Sequence, residues 1–239
     1  MDATTEDGIE HTLWKIPPDK AQDVVKFFED KPLYIVDGHH RYTSSLEYAK
    51  EVGVAGNIDE PASQMFFAIC NVYDPAVVVL PTHRQIRGVD TLNQAKLSET
   101  FEISEVDWKD VELFTNNNSA EPAFILSYMG KNLLCIPKNW KENTDEAKAL
   151  VSLSVYWSDR VLLRDICQMN EHAIEKACAY HKSAELLWNE KQLSDMAIFL
   201  PPIPVEGMTE VADANAFMPQ KSTFFFPKLA SGLLLRSFS

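Results

Sequence analysis

The spacing of apolar residues in the first part of the chain predicts a helix, a strand and a second helix. Apolar side chains recur at the helical period between residues 19 and 30, and the same period returns between Tyr42 and Gly53. The apolar run at residues 33–36 predicts a short buried strand that ends at an Asp-Gly pair. The first ten residues are mostly polar and predict a flexible lead.

Later segments predict a sheet with flanking helices. The predicted strands cover residues 64–72, 77–80, 101–106, 123–129, 132–136 and 196–200. The predicted helices cover residues 91–100, much of 145–188 and a short stretch after Pro204. Gly130-Lys131, between two of the strands, predicts a hairpin. The fold class is therefore α/β (or α+β), a mixed sheet with flanking helices, in a single domain over residues 1–239.

Composition and charge exclude several kinds of site. The chain carries 35 acidic and 22 basic side chains, a formal net charge of −13, which argues against a nucleic-acid partner because such binding needs clustered Lys and Arg. Its eight glycines form neither a G-x-G-x-x-G turn nor a P-loop. The four cysteines fit no redox, zinc or disulfide pattern, and no apolar run is long enough to cross a bilayer. We therefore expect a cytoplasmic protein without a membrane partner.

The densest group of candidate functional residues is the sequence YIVDGHHRY. A strand enters a turn at Asp37-Gly38, and His39, His40 and Arg41 then occupy the first turn of a predicted helix. A helix N-terminus disfavours cations, so these side chains indicate an anion held among them and the free backbone N–H groups. Arg41 offers a bidentate clamp, and Asp37 offers a helix cap, a general base or a ligand for Mg²⁺. In the alternative interpretation, Asp37 only caps the helix and the histidines are incidental.

A second cluster follows the predicted strand at residues 77–80. Thr82, His83 and Arg84 stand at its end. Ligand-binding residues collect at strand ends in α/β sheets, so we expect these side chains to join the first cluster in one pocket. A solvated loop is the alternative.

A third cluster is MPQKSTFFFPK at residues 218–228. Lys221, Ser222 and Thr223 resemble the last residues of a phosphate loop without its glycines. Lys221 and Lys228 bracket the FFF run, which predicts a core strand because it is too apolar to leave exposed. We assign Lys221, Ser222, Thr223 and Lys228 to phosphate or ligand binding.

A histidine-based metal site has less support than a magnesium site. Adjacent histidines rarely point to the same place, and the H-x-x-x-H spacing of a helical zinc pair is missing. Mg²⁺ held by Asp37 and a substrate phosphate is the simpler hypothesis.

Three blocks of the sequence resemble a known family. VDGHHRYTSSLEYA at residues 36–49, VVVLPTHR at residues 77–84 and MPQKSTFFFPKLASGL at residues 218–233 look like signature blocks of the bacterial domain-of-unknown-function 1015 family. HTLW at residues 11–14 is similar to the stretch before the first block. Family members have a longer segment at this end, so we expect a C-terminal portion of the family length, which an N-terminal segment or a second copy complements.

The core of the first block also resembles a motif of the ParB and sulfiredoxin superfamily. Asp37, Gly38, His40 and Arg41 match its phosphate-contacting turn, and the superfamily includes partition proteins, sulfiredoxins and a free serine kinase. The resemblance implies a ParB/sulfiredoxin-like core around this turn and a phosphate or nucleotide ligand. Family members are often encoded beside serine-biosynthesis enzymes, which implies serine or phosphoserine as substrate and ATP or ADP with Mg²⁺ as cofactors.

Two functions are open at this point. The first is an enzyme of phosphoryl transfer or phosphate hydrolysis on a small metabolite, of the kinase or phosphatase type. Arg41, Arg84 and Lys221 would then neutralise phosphate charge, with Asp37 or a histidine as general base or acid. The second is a non-catalytic regulatory module that senses a nucleotide or phosphometabolite in the same pocket.

Overall fold

The computed structural model describes residues 1–6, 8–89, 92–119, 121–142, 148–193, 195–230 and 232–237. The chain, which the sequence predicts as one domain, divides into two compact units. The terminal unit comprises Met1–Val77 and Pro227–Ser239, and the sheet unit comprises Val78–Phe226.

In its described residues, the terminal unit contains two α-helices, a short hairpin and a 3₁₀ turn. In the lead predicted as flexible, β1 (Asp2–Thr4) pairs antiparallel with β2 (Glu10–Thr12). Helix α1 (Pro18–Phe28) begins at a proline, whose fixed φ and missing N–H suit a first helical position. Helix α2 (His39–Glu51) follows, and Pro61–Ser63 form a 3₁₀ turn. Ala49 is the one buried residue among those described in this unit.

Two strands predicted in the terminal unit differ from the structure. The described backbone at residues 33–36 and 64–72 is assigned to no strand. Leu33 and Phe66, one from each run, are 53% and 55% exposed, so neither run is the buried strand that its composition predicts. A strand needs a neighbouring strand for its N–H and C=O groups, and an apolar run does not by itself supply one.

The sheet unit contains a six-stranded sheet, a two-stranded sheet and most of the helices. Its strands are β3 (Val78–Leu80), β4 (His83–Ile86), β5 (Phe101–Glu105), β6 (Phe124–Tyr128), β7 (Lys131–Pro137), β8 (Cys178–His181), β9 (Met196–Phe199) and β10 (Phe224–Phe226). Its α-helices are α3 (Gln94–Thr100), α4 (Trp108–Asn116), α5 (Lys148–Val151), α6 (Ser154–Tyr156), α7 (Glu171–Ala177), α8 (Ala184–Glu190) and α9 (Val205–Asp213). A π-helix spans Trp157–Ile166, and Trp140–Glu142 form a 3₁₀ turn.

The large sheet has the strand order β5-β7-β6-β9-β4-β8, and its described pairings are antiparallel throughout. The small sheet pairs β10 with β3, also antiparallel. The α/β (or α+β) class predicted from the sequence is confirmed, although the sheet expected to be mixed is antiparallel in its described strands. The predicted helical region at residues 145–188 also contains β8. Residues 90–91 and 143–147, where two predicted helices begin, lie outside the described residues.

The core of the sheet unit lies on the central strands of the large sheet. All four residues of β4 are buried, and so are all four residues of β9. This is expected where both faces of a strand are covered. Helices α4 and α8 pack on one face through Val111 and Leu187, which contact Ile125, Ala197 and Phe199. This packing makes β4 part of the interior, and β4 carries two of the residues predicted to bind ligand.

Candidate functional site

The Asp37-Gly38 turn and the start of α2 have the geometry of an open helix N-terminus. Gly38 is the N-cap residue, with φ +82° in the left-handed region that favours glycine. A Cβ on Gly38 would lie 2.7 Å from Arg41 Nη2, so the side chain of Arg41 lies directly over this glycine. Among the described residues, no side chain caps α2. The backbone N–H groups of the first helical residues, from His39 to Arg41, have no intrahelical acceptor.

Asp37 is held between two cations instead of capping the helix. Arg41 Nη2 donates to Asp37 Oδ2 at 3.3 Å, and Lys228 Nζ donates to Asp37 Oδ1 at 3.0 Å. Partial burial raises the pKa of Asp37, but the hydrogen bonds and charges of Lys228 and Arg41 outweigh it, and the pKa lies below its ordinary value. The carboxylate is therefore ionised at neutral pH, and it is a weak proton acceptor.

Stability does not account for this cluster of charges. The side chains of Asp37, Arg41 and Lys228 are 53%, 67% and 40% exposed. Ion pairs this exposed contribute about 0–1 kcal/mol each, because water screens them. Arg41 also stands in the first turn of a helix, where a positive charge is disfavoured. The three side chains together carry one excess positive charge in a protein whose net charge is −13.

His39 and His40 occupy the first two positions of α2, and both are exposed. Thr43 Oγ1 donates to the backbone oxygen of His39 at 2.9 Å, which holds this turn from within the helix. The structure therefore places both imidazoles beside the open N-terminus, where the sequence predicts them. The five residues from Asp37 to Arg41, with Lys228, are called the α2 site below.

The second predicted cluster lies inside the sheet unit and not in a solvated loop. Thr82 is buried, and His83 is 1% exposed. Leu200 N–H donates to His83 Nδ1 at 3.2 Å, and the imidazole ring lies 5.8 Å from the ring of Phe199. Burial, followed by the charges of Arg84 and His181, lowers the pKa of His83 to about 3. The imidazole is therefore neutral at physiological pH.

Arg84 is fully buried in β4 and has few partners. Its Nη1 donates to the backbone oxygen of Thr82 at 2.9 Å, and its guanidinium carbon lies 5.7 Å from the centre of the Tyr180 ring. Arg84 Nε and Nη2 have no hydrogen-bond partner within the described part of the chain. Burial lowers the pKa of Arg84, and the charge of Asp159 opposes that shift. Sequence analysis missed Asp159, which carries no motif.

The third predicted cluster is divided between a turn, a strand and the α2 site. Lys221 is exposed, with a positive φ of 56°, and Ser222 is buried, with its hydroxyl donating to the backbone oxygen of Pro219. Thr223 is half-buried beside β10, whose FFF run pairs with β3 as a strand. Lys228 reaches Asp37. The prediction that the second cluster joins the first in one pocket stays a prediction.

No group of three or more His, Cys, Asp or Glu side chains in the described part of the chain is arranged to hold a metal ion. Asp37 is an ionised carboxylate at the surface. Mg²⁺ sites commonly combine a carboxylate of this kind with the oxygens of a phosphate ligand. Among the helices that the structure describes, none is long and apolar enough to cross a membrane.

Comparison with known proteins gives structural neighbours and a family. No curated protein matches the chain. Two mutants of a free serine kinase in complex with AMP align with TM-scores of 0.47 and 0.45, at 16% sequence identity, over 88% of this chain and 81% of the kinase. A conserved hypothetical protein from Pyrococcus furiosus aligns with a TM-score of 0.43, at 18% identity, over 88% of this chain and 84% of that protein. The AMP and the kinase activity belong to those proteins.

The family model described as "Protein of unknown function (DUF1015)" matches residues 1–161, more than half of the chain, and the protein therefore belongs to the DUF1015 family.

Proposed function

We propose that the α2 site binds the phosphate groups of a nucleotide or of a small phosphorylated metabolite. The observation that carries this proposal is the uncapped N-terminus of α2. Arg41 and Lys228 both donate to Asp37, which lies two residues before the first residue of this helix. Free backbone N–H groups and a helix dipole form an anion site, and a guanidinium and an ammonium beside them supply charge and directed donors. The resemblance of Asp37, Gly38, His40 and Arg41 to the phosphate-contacting turn of the ParB and sulfiredoxin superfamily supports this proposal.

An incoming phosphate competes with Asp37 for both cations. Since exposed ion pairs contribute about 0–1 kcal/mol, separating Arg41 and Lys228 from Asp37 costs little. Charge-assisted bonds to phosphate oxygens are about twice as strong as neutral ones, and the backbone N–H groups add to them. Asp37 is then free to hold Mg²⁺ against the bound phosphate.

The reaction that this arrangement supports is phosphoryl transfer or phosphate hydrolysis on a small metabolite. Such chemistry needs mainly positioning and charge neutralisation, which Arg41, Lys228 and the helix N-terminus supply. His39 and His40 are the proton carriers, because the lowered pKa of Asp37 makes its carboxylate a weak base. The most specific substrates that we propose are serine together with ATP or ADP, and phosphoserine alone.

The test combines binding with turnover. We expect ATP or ADP to raise the melting temperature, and serine with nucleotide, or phosphoserine alone, to be turned over when Mg²⁺ is present. Arg41→Gln and Lys228→Gln should each weaken nucleotide binding by about tenfold, as for the loss of one charge-assisted hydrogen bond. Lys50→Gln, which removes the same charge at the other end of α2, is the matched control and should bind normally. Unchanged affinity in both site variants would refute the assignment.

A non-catalytic regulatory module is the second candidate. The observation that favours it is the lowered pKa of Asp37, which removes the obvious carboxylate base from the site. This candidate predicts a thermal shift with a nucleotide or phosphometabolite and no turnover of any substrate in the panel. Turnover that His39→Gln and His40→Gln abolish while the thermal shift persists would support the enzyme instead.

A further inference from the structure

A second candidate site lies in the sheet unit, at a cavity of about 310 Å³. The π-helix Trp157–Ile166 forms one side, and residues 217–220, directly before the KST sequence, form another. This volume is at the small end of the range for ligand pockets, which is roughly 300–1,000 Å³. The cavity therefore suits a ligand of a few heavy atoms.

The π-helix explains why several charged side chains face this cavity. Asp159, Arg160 and Arg164 line it, and Arg164 Nε lies 3.3 Å from Asp159 Oδ1. In an α-helix, neighbours on one face are three or four residues apart, so residues five apart diverge. A π-helix closes its hydrogen bonds five residues apart, as Cys167 N–H does to Leu162 O at 2.9 Å. The rarer helix brings Asp159 and Arg164 together, and π-helical turns are frequent at functional sites.

The charges around the cavity are paired on one side and unpaired on the other. Asp159, with a side chain only 8% exposed, is bound to Arg164 and lies within electrostatic range of the buried Arg84. Arg160 and Glu171 also line the cavity, and both are exposed. The side chains of these two residues form no ion pair with each other or with any other described residue. One open cation and one open anion therefore face the same small volume.

We propose that this cavity binds a small zwitterion of the α-amino-acid class. Arg160, with the remaining donors of Arg164, binds the ligand's carboxylate, and Glu171 binds its ammonium group. A dianion would meet the carboxylates of Asp159 and Glu171, and a simple amine would meet two guanidinium groups. Only a ligand with both charges pairs with both open groups. None of these residues belongs to the α2 site, so the inference does not rest on the proposed function.

The binding test uses the full chain and three matched sets of compounds. Thermal shift and calorimetry compare a panel of L-amino acids with the corresponding decarboxylated amines and deaminated acids, each at millimolar concentration. We expect at least one amino acid to bind, and its amine and its acid to bind at least about tenfold more weakly, since each lacks one charge-assisted contact. An acid that binds as tightly as the amino acid, or no binding by any amino acid, would overturn the proposal.

Charge-neutral variants show whether the binding is at this cavity. Arg160→Gln and Glu171→Gln should each weaken the binding of the amino acid by about tenfold, or about 1.4 kcal/mol. Both side chains are exposed, so neither variant should disturb the fold, which circular dichroism checks. Arg87→Gln removes an exposed arginine of the same unit outside the cavity and should bind normally. Arg41→Gln should weaken nucleotide binding by about tenfold and keep amino-acid binding, so failure of either proposal is distinguishable from failure of the other.

Discussion

His83 is a buried, neutral histidine, and we predict that it makes the unfolding free energy of the sheet unit depend on pH. Its Nδ1 accepts the Leu200 N–H, so the ring proton is on Nε2. A second proton would have to go on Nδ1, where it would face that N–H donor, in a position that is 1% exposed and beside Arg84. Burial and these charges lower the pKa of His83 to about 3.

The sign and size of the effect follow from the two pKa values. An unfolded histidine titrates near 6.5, so between pH 6.5 and 3 the unfolded chain binds a proton at His83 that the folded chain does not. Stability is therefore fully present above pH 6.5 and falls as the pH decreases through this window. At 1.36 kcal/mol for each pKa unit, lowering the pH from 7 to 5 should cost about 2 kcal/mol of unfolding free energy through this residue.

Urea unfolding at pH 7 and pH 5 measures this loss. His83→Asn keeps an acceptor near the position of Nδ1 but does not titrate, so its unfolding free energy should fall by about 2 kcal/mol less than that of the wild type. His172→Asn removes an exposed histidine of the same unit and should follow the wild type. Equal losses in the wild type and His83→Asn would show that His83 is not a buried neutral residue.

Three further predictions concern the turn, the thiols and a buried hydrogen bond. Gly38→Ala forces a side chain into φ +82° beside a guanidinium 2.7 Å away, so it should cost about 1–2 kcal/mol and weaken phosphate binding, measured by thermal melting and nucleotide titration. A thiol reagent should label exposed Cys70 first and buried Cys135, whose pKa burial raises to about 12, only on unfolding; mass spectrometry assigns the order. Asp195→Ala removes the carboxylate to which buried Gln85 donates at 2.7 Å, and urea unfolding should show a loss of about 1–3 kcal/mol.

Local turn chemistry made the β6–β7 hairpin predictable from the sequence. Met129 and Gly130 both have positive φ, at 50° and 78°, as a two-residue hairpin turn requires. Strands β5 and β9 were also predicted correctly, and each contains one aromatic and one β-branched residue. The runs at 33–36 and 64–72 have similar composition but are not strands in the described structure. Composition indicates that a segment suits a strand, whereas pairing depends on distant segments.

The candidate site shows the same division between local and distant information. Asp37 and Arg41 are four residues apart across a helix start, so their contact follows from local geometry. Lys228 is 191 residues from Asp37, and only the fold brings it there. His83 and Arg84 were predicted at an accessible strand end, yet β4 is buried along its whole length. A strand that is buried on both faces does not show the alternation of polar and apolar residues that identifies a half-buried strand, so the burial of β4 could not be predicted from its sequence.

The net charge of −13 and the anion site that we propose at the start of α2 are compatible because the two act over different distances. At physiological ionic strength the screening length is about 8 Å, so a charge on the protein acts mainly on atoms near it. A nucleic acid extends over many screening lengths and would contact the acidic surface as well as the α2 site. In the proposed site, a single phosphate group would contact only Arg41, Lys228 and the first N–H groups of α2. We therefore expect the acidic surface to disfavour polyanions while leaving a small phosphate ligand its favourable contacts at the proposed site, so that the charge distribution would select ligands by size.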